Sequence, residues 1–108
     1  MQSQTPVVLR RTHLLDARIA ERVAELFSAL SDTNRVRIIA ALLTGEKNVG
    51  EIAESVGMSG SAVSHQLRML RQIRIVRTSK RGREVYYTLD DEHVVDLFTR
   101  GLDHVKHG

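Results

Sequence analysis

Residues 48–89, NVGEIAESVGMSGSAVSHQLRMLRQIRIVRTSKRGREVYYTL, change their apolar period partway along, and that change decides the fold. Val49, Ile52, Ala53 and Val56 recur at helical spacing behind Asn48, a residue suited to capping a helix. Gly57 supplies a tight turn. Ser59 or Ser61 can then cap a second helix, SAVSHQLRMLRQ, with Val63, Leu67 and Leu70 on its inner face. After Gln72 the period drops to two. IVRTSK and REVYYTL are rich in β-branched and tyrosine side chains, meet at Arg81-Gly82, and place Val85, Tyr87 and Leu89 on one face. Two short helices about a glycine turn, followed by a basic hairpin, predict a helix-turn-helix with a wing.

Working outward, a helix is expected from about Asp16 to Leu30, with Ile19, Val23, Leu26, Phe27 and Leu30 in one apolar stripe. Ser31-Asp32 interrupts it, and Asp32 caps a second helix that buries Val36, Ile39, Ala40 and Leu43 and ends at Gly45. Beyond the hairpin, Asp90 or Asp91 caps a last helix running to about Val105. The expected architecture is α+β and mainly helical: a winged helix-turn-helix of about five helices plus a two-stranded wing. Residues 13–108 form this DNA-binding and dimerisation domain, behind a loose arm of residues 1–12 that holds the only proline, Pro6.

The chain has 108 residues, 42% hydrophobic but only 4% aromatic, so one modest core must be built from Leu, Ile, Val and Ala. A domain this small buries limited surface alone, which favours a homodimer. There is no cysteine, which excludes disulfides, thiolate metal sites and iron–sulfur clusters. A metal would be held by nitrogen and oxygen, which leans towards zinc, cobalt or nickel. The longest apolar run, residues 38–43, is too short to cross a bilayer, and the first residues lack a secretory pattern. A cytoplasmic protein without membrane contact is expected.

Net charge is only +3, but Ser55 to Arg83 contains no acidic residue while holding Arg68, Arg71, Arg74, Arg77, Lys80, Arg81 and Arg83. A basic run alone is often just a solvated face. Here it coincides with the second helix of the helix-turn-helix and the wing, which points to double-stranded DNA. Ser61, Ser64, His65 and Arg68 fall away from the apolar stripe and Gln66 lies at its edge, so these five are candidates for the major groove. Lys80, Arg81 and Arg83, at the hairpin tip, can grip the backbone or minor groove. His65 has no second ligand near it in sequence and is read as a DNA contact.

The last segment, DDEHVVDLFTRGLDHVKHG, carries a second constellation. At about 100° per residue, His93, His104 and His107 lie within roughly 60° of one another on the helix surface. Beside them run Val94, Leu97, Phe98, Gly101 and Val105, an apolar stripe in which the glycine allows another backbone to approach. His93 and His104 are about 16 Å apart along the axis, so one straight helix cannot bring both to one ion. His104 and His107 can share an ion, as can Asp91 and His93. An antiparallel second copy sets one chain's Asp91 and His93 opposite the other's His104 and His107, closing a three-nitrogen, one-oxygen site twice over. Asp96 is an alternative carboxylate; Asp103, on another face, is less suited. Four protein ligands leave no open position for water, so an enzyme is not expected.

Over about residues 16–107 the chain resembles the ArsR–SmtB family of metal-responsive repressors. SAVSHQLRMLR is similar to its recognition helix, RGREVYYTLDD to its wing and exit, and Asp91-x-His93 with His104-x-x-His107 to its zinc- and cobalt-sensing members. The resemblance implies that the metal-free dimer occupies operator DNA and that metal at the dimer interface releases it allosterically, commonly at an efflux or sequestration gene. Members with a second site carry cysteine in the segment that here reads EKNVGEIA, where Asn48 stands, so thiolate sensing is not implied. Nickel-sensing members extend the ligand set beyond the last helix, a role open here only to His13 and the N-terminal arm. A nickel sensor, a metal-independent winged-helix regulator and a small metal-buffering protein are the competing readings.

Overall fold

The computed structural model describes residues 16–107; the arm of residues 1–12 and His13 lie outside them. Five helices and three short strands follow in the order α1 (Ala17–Ala29), α2 (Thr33–Leu43), β1 (Lys47–Asn48), α3 (Val49–Val56), α4 (Gly60–Gln72), β2 (Val76–Arg81), β3 (Glu84–Leu89) and α5 (Glu92–His107). Each helix starts where a short polar side chain satisfies an orphan backbone N–H. Asp16 accepts from Arg18 N at 2.8 Å, Asp32 from Arg35 N at 3.1 Å, Ser59 from Ala62 N at 3.1 Å and Asp91 from Val94 N at 3.0 Å. Asn48 completes a reciprocal box: its Oδ1 accepts from Glu51 N at 2.8 Å, and Glu51 Oε1 accepts from Asn48 N at 3.0 Å.

The helix-turn-helix is α3, a turn through Gly57 in the left-handed region (φ 69°), and α4. Its core gathers Ile38, Ile39 and Leu42 of α2, Ile52 and Val56 of α3, Val63, Leu67 and Leu70 of α4, then Ile75, Val76, Leu89 and Phe98. On α2 the fully buried positions are Ile38, Ile39 and Leu42, while the expected Val36, Ala40 and Leu43 are half-buried. The helix is enclosed on more than one side, which widens its apolar face beyond a single stripe. Leu67, fully buried at the centre of α4, anchors the recognition helix from below. Leu67→Ala is expected to cost about 2–5 kcal/mol of stability, read from urea unfolding midpoints at unchanged slope. A loss below about 1 kcal/mol would mean that the core can close over the gap.

After α4 the chain reverses at Arg74, which adopts φ 62° while Ile75 N donates to Leu70 O at 2.9 Å. Left-handed backbone at a non-glycine costs on the order of 1 kcal/mol. Here it turns Ile75 and Val76 directly into the core. β2 and β3 then pair antiparallel, from Val76 opposite Leu89 to Arg81 opposite Glu84, about a turn containing Gly82 (φ 61°). The sheet has a third member: β1 pairs with β3, Lys47 opposite Tyr87 and Asn48 opposite Tyr86, giving the order β1-β3-β2 rather than a bare two-stranded wing. Capping itself makes this strand available, because Asn48 as a cap is extended (φ −87°, ψ 175°) and so can join a ladder. Its Nδ2 also donates to Glu84 Oε1 at 3.1 Å. No helix among the described residues is long and apolar enough to cross a membrane.

Candidate functional site

Because Val63, Leu67 and Leu70 fix α4 from below, the opposite face is free. Ser61, His65 and Arg68 are exposed on it, with Ser64 half-buried between them. The helix begins at Gly60, and Ser61 Oγ lies 3.3 Å from the capping Ser59 Oγ, so hydroxyls crowd an N-terminus that favours anions. Gln66 sits differently. It is half-buried at the flank of α4, where its Oε1 accepts from Arg35 Nε at 3.0 Å. Arg35 in turn reaches Ser28 O from NH1 at 3.4 Å, tying α1, α2 and α4 together.

The three wing cations are not equivalent. Lys80 and Arg83 are exposed at the tip. Arg81 instead lies back across the sheet, with its guanidinium 4.5 Å above the Tyr86 ring and paired with Glu46, just ahead of β1. The strand that Glu46 precedes and the strand that Arg81 ends lie on opposite edges of the sheet, with β3 between them. That pair was invisible in the sequence because nothing local announces that Lys47–Asn48 joins the sheet.

The other group of candidate residues lies on α5. Asp91 caps the helix through Oδ1, and the same oxygen is 3.8 Å from His93 Nδ1. Near the other end, His107 Nδ1 is 3.4 Å from Asp103 Oδ1. The sequence reading set Asp103 aside as belonging to another face, although its i,i+4 spacing to His107 was the available signal. All four candidate ligands, Asp91, His93, His104 and His107, are exposed. The two ends of α5 are separated by about 16 Å between His93 and His104. Among the described residues, no three side chains of ligating type converge within one chain.

Apolar surface lies beside these ligands. Phe98 is buried and Val94 and Leu97 are half-buried, but Val105 is 79% exposed, and nothing lies within 4 Å of a Cβ built at Gly101. On α1 the expected stripe divides: Ile19, Leu26 and Leu30 are half-buried, whereas Phe27 is 53% and Val23 46% exposed, and the one buried residue is Ala29, outside the expected stripe. The first and last helices thus both leave large apolar side chains in water.

Residues 32–78 match the family described as bacterial regulatory protein, arsR family. The chain is 46% identical over 87 residues to a transcriptional repressor SmtB homolog from Synechocystis, spanning 81% of this chain and 66% of that relative. It is 40% identical over 93 residues to the HTH-type transcriptional regulator NmtR from Mycobacterium tuberculosis, spanning 86% and 78%. Among solved structures, the homodimeric winged helix-turn-helix DNA-binding domain Mb0332 from Mycobacterium bovis superposes with a TM-score of 0.79 at 29% identity, covering 83% of each chain.

Proposed function

Because this chain belongs to the ArsR family of bacterial regulatory proteins, winged helix-turn-helix regulators rather than enzymes, we propose that it is a homodimeric repressor released from operator DNA by zinc or cobalt bound between its two subunits. One observation carries the reading. The ligand-type side chains stand exposed at opposite ends of a single helix, too far apart to serve one ion, beside apolar surface that invites a second copy.

The donor chemistry suits the ion. Three imidazoles and a carboxylate form a borderline set appropriate to four-coordinate zinc or cobalt. Asp91 Oδ1 is engaged in capping, which leaves Oδ2 for coordination. With the Asp103 carboxylate 3.4 Å from His107 Nδ1, Nε2 is left as the ligating nitrogen and the carboxylate is placed to orient the ring once the metal is bound. Asp103→Asn should therefore weaken zinc binding by about 10–100-fold without altering the ligand count. Competition titration against a chromophoric chelator measures this, and unchanged affinity would remove Asp103 from the support of the site.

The exposed Ser61, His65 and Arg68, with the half-buried Ser64 between them, are proposed to enter the major groove, while Lys80 and Arg83 meet the phosphate backbone. Arg81 is already neutralised by Glu46 and should contribute less. Arg83→Ala is expected to reduce the slope of log affinity against log salt by about 0.9, and Arg81→Ala by a smaller amount. Equal reductions would place Arg81 on phosphate as well.

Metal joins the two α5 helices in one relative setting, and release follows if that setting separates the recognition helices from successive major grooves. By linkage, DNA must weaken metal binding by the same factor that metal weakens DNA binding. The test is operator affinity with and without zinc: a drop of about 5–150-fold is expected, and equal affinities would contradict the proposal.

A further inference from the structure

We propose that Glu46 is a positioning residue for the wing: it holds the Arg81 guanidinium back over the sheet and so keeps one cation per subunit off the phosphate backbone of DNA. This rests on the proposal that the wing meets that backbone.

The placement follows from the ladder. Arg81 ends β2 one residue before Gly82, so its backbone stands at the hairpin turn with those of Lys80 and Arg83. Its charge does not. The guanidinium lies 4.5 Å above the ring of Tyr86, a residue of the central strand with Ser79 opposite it on one side and Asn48 on the other. The last rung of the hairpin, Arg81 opposite Glu84, is two residues nearer the turn than Tyr86, or about 7 Å along the strand. The charge is therefore drawn back from the tip, where Lys80 and Arg83 stay exposed. Glu46, just ahead of β1 at the far edge, closes the arrangement by pairing with Arg81 NH2. Glu84, although opposite Arg81 in the ladder, is engaged by Asn48 Nδ2 at 3.1 Å.

A guanidinium paired with a carboxylate offers a phosphate little net charge, and the two anions compete for the same donors. Tyr86 cannot have this effect alone, because an aromatic ring holds a cation without cancelling its charge. Glu46 is thus the group that decides whether Arg81 counts among the cations neutralising phosphate. Both partners are exposed, so their pairing is worth up to about fivefold in an equilibrium constant, within reach of displacement. Glu46→Gln removes the charge, keeps the side-chain shape and releases Arg81.

The experiment follows fluorescence anisotropy of a labelled random-sequence duplex, since phosphate contacts carry no sequence information. Metal-free wild type, Glu46→Gln, Arg81→Ala, the double variant and Arg83→Ala are compared between about 50 and 200 mM salt, after circular dichroism confirms that each is folded. Glu46→Gln should bind about twofold to fivefold more tightly per wing and steepen the slope of log affinity against log salt by up to about 0.9 per wing. In the Arg81→Ala background the same substitution should change neither quantity. No gain from Glu46→Gln overturns the proposal. So does an equal gain with and without Arg81, which would make Glu46 only a repelling charge. If Arg83→Ala lowers the slope while Glu46→Gln does nothing, this proposal alone fails. If Arg83→Ala leaves the slope unaltered, the wing is not on the phosphate backbone and both fail together.

Discussion

Alanine in place of His93 or His107 is expected to leave operator binding by the metal-free protein within about twofold of wild type and to abolish zinc-induced release. Both side chains are exposed and far along the chain from α4, so their removal costs little folding energy; surface substitutions ordinarily stay within about 0.5 kcal/mol. Metal-induced release, by contrast, depends on a closed ligand set. Either loss leaves an incomplete site, and a coupling worth about 5–150-fold in operator affinity should vanish. Gel-shift titrations of each variant with and without zinc report both quantities. A variant that still releases its operator normally would show that its histidine is not a ligand. Loss of DNA binding without metal would show that α5 supports the reading head directly.

The second large effect concerns assembly. Phe27→Glu on α1 is expected to convert the dimer to a monomer and lower operator affinity by at least about 100-fold, since linking two half-site readers multiplies affinity by roughly 10²–10⁴. Phe27 is half-exposed in the single chain, so a carboxylate there costs little within the subunit but would be buried unpaired between subunits. Sedimentation should show the monomer, and far-ultraviolet circular dichroism should show unchanged helix content. A persistent dimer would move the subunit contact away from α1.

What could be read in advance follows the range of the interactions. The caps Asp32 and Asn48 were legible outright, and Ser59 and Asp91 as one of two neighbouring alternatives each, because capping acts within three residues; Asp16 was legible as a helix start but not as its cap. The recognition helix was equally plain, since Val63, Leu67 and Leu70 repeat at its period and all are buried. β1 was missed because a two-residue strand has no period of its own, and its pairing with Tyr86 and Tyr87 spans nearly forty residues. The same distance hid the Glu46–Arg81 pair and the hold of Arg35 on Gln66. In the first helix, the stripe signalled apolar burial without saying whose surface covers it: Leu26 and Leu30 turn towards the subunit's own core, whereas Val23 and Phe27 do not. The Asp103–His107 contact lies within reach of helical i,i+4 spacing, whereas the angle between histidines on the helix surface carries no information about it.

Mixing two defective variants tests the shared site most directly. Homodimers of His93→Ala lack the ligand from the start of α5 at both sites, and homodimers of His107→Ala lack the one from its end. A mixed dimer joins the intact start of one chain to the intact end of the other and regains one complete site. Subunit exchange should therefore restore tight zinc binding, at up to one ion per mixed dimer, which neither variant shows alone. Restoration on mixing is the predicted result; a mixture that binds no more zinc than its two components would contradict a site built from two chains.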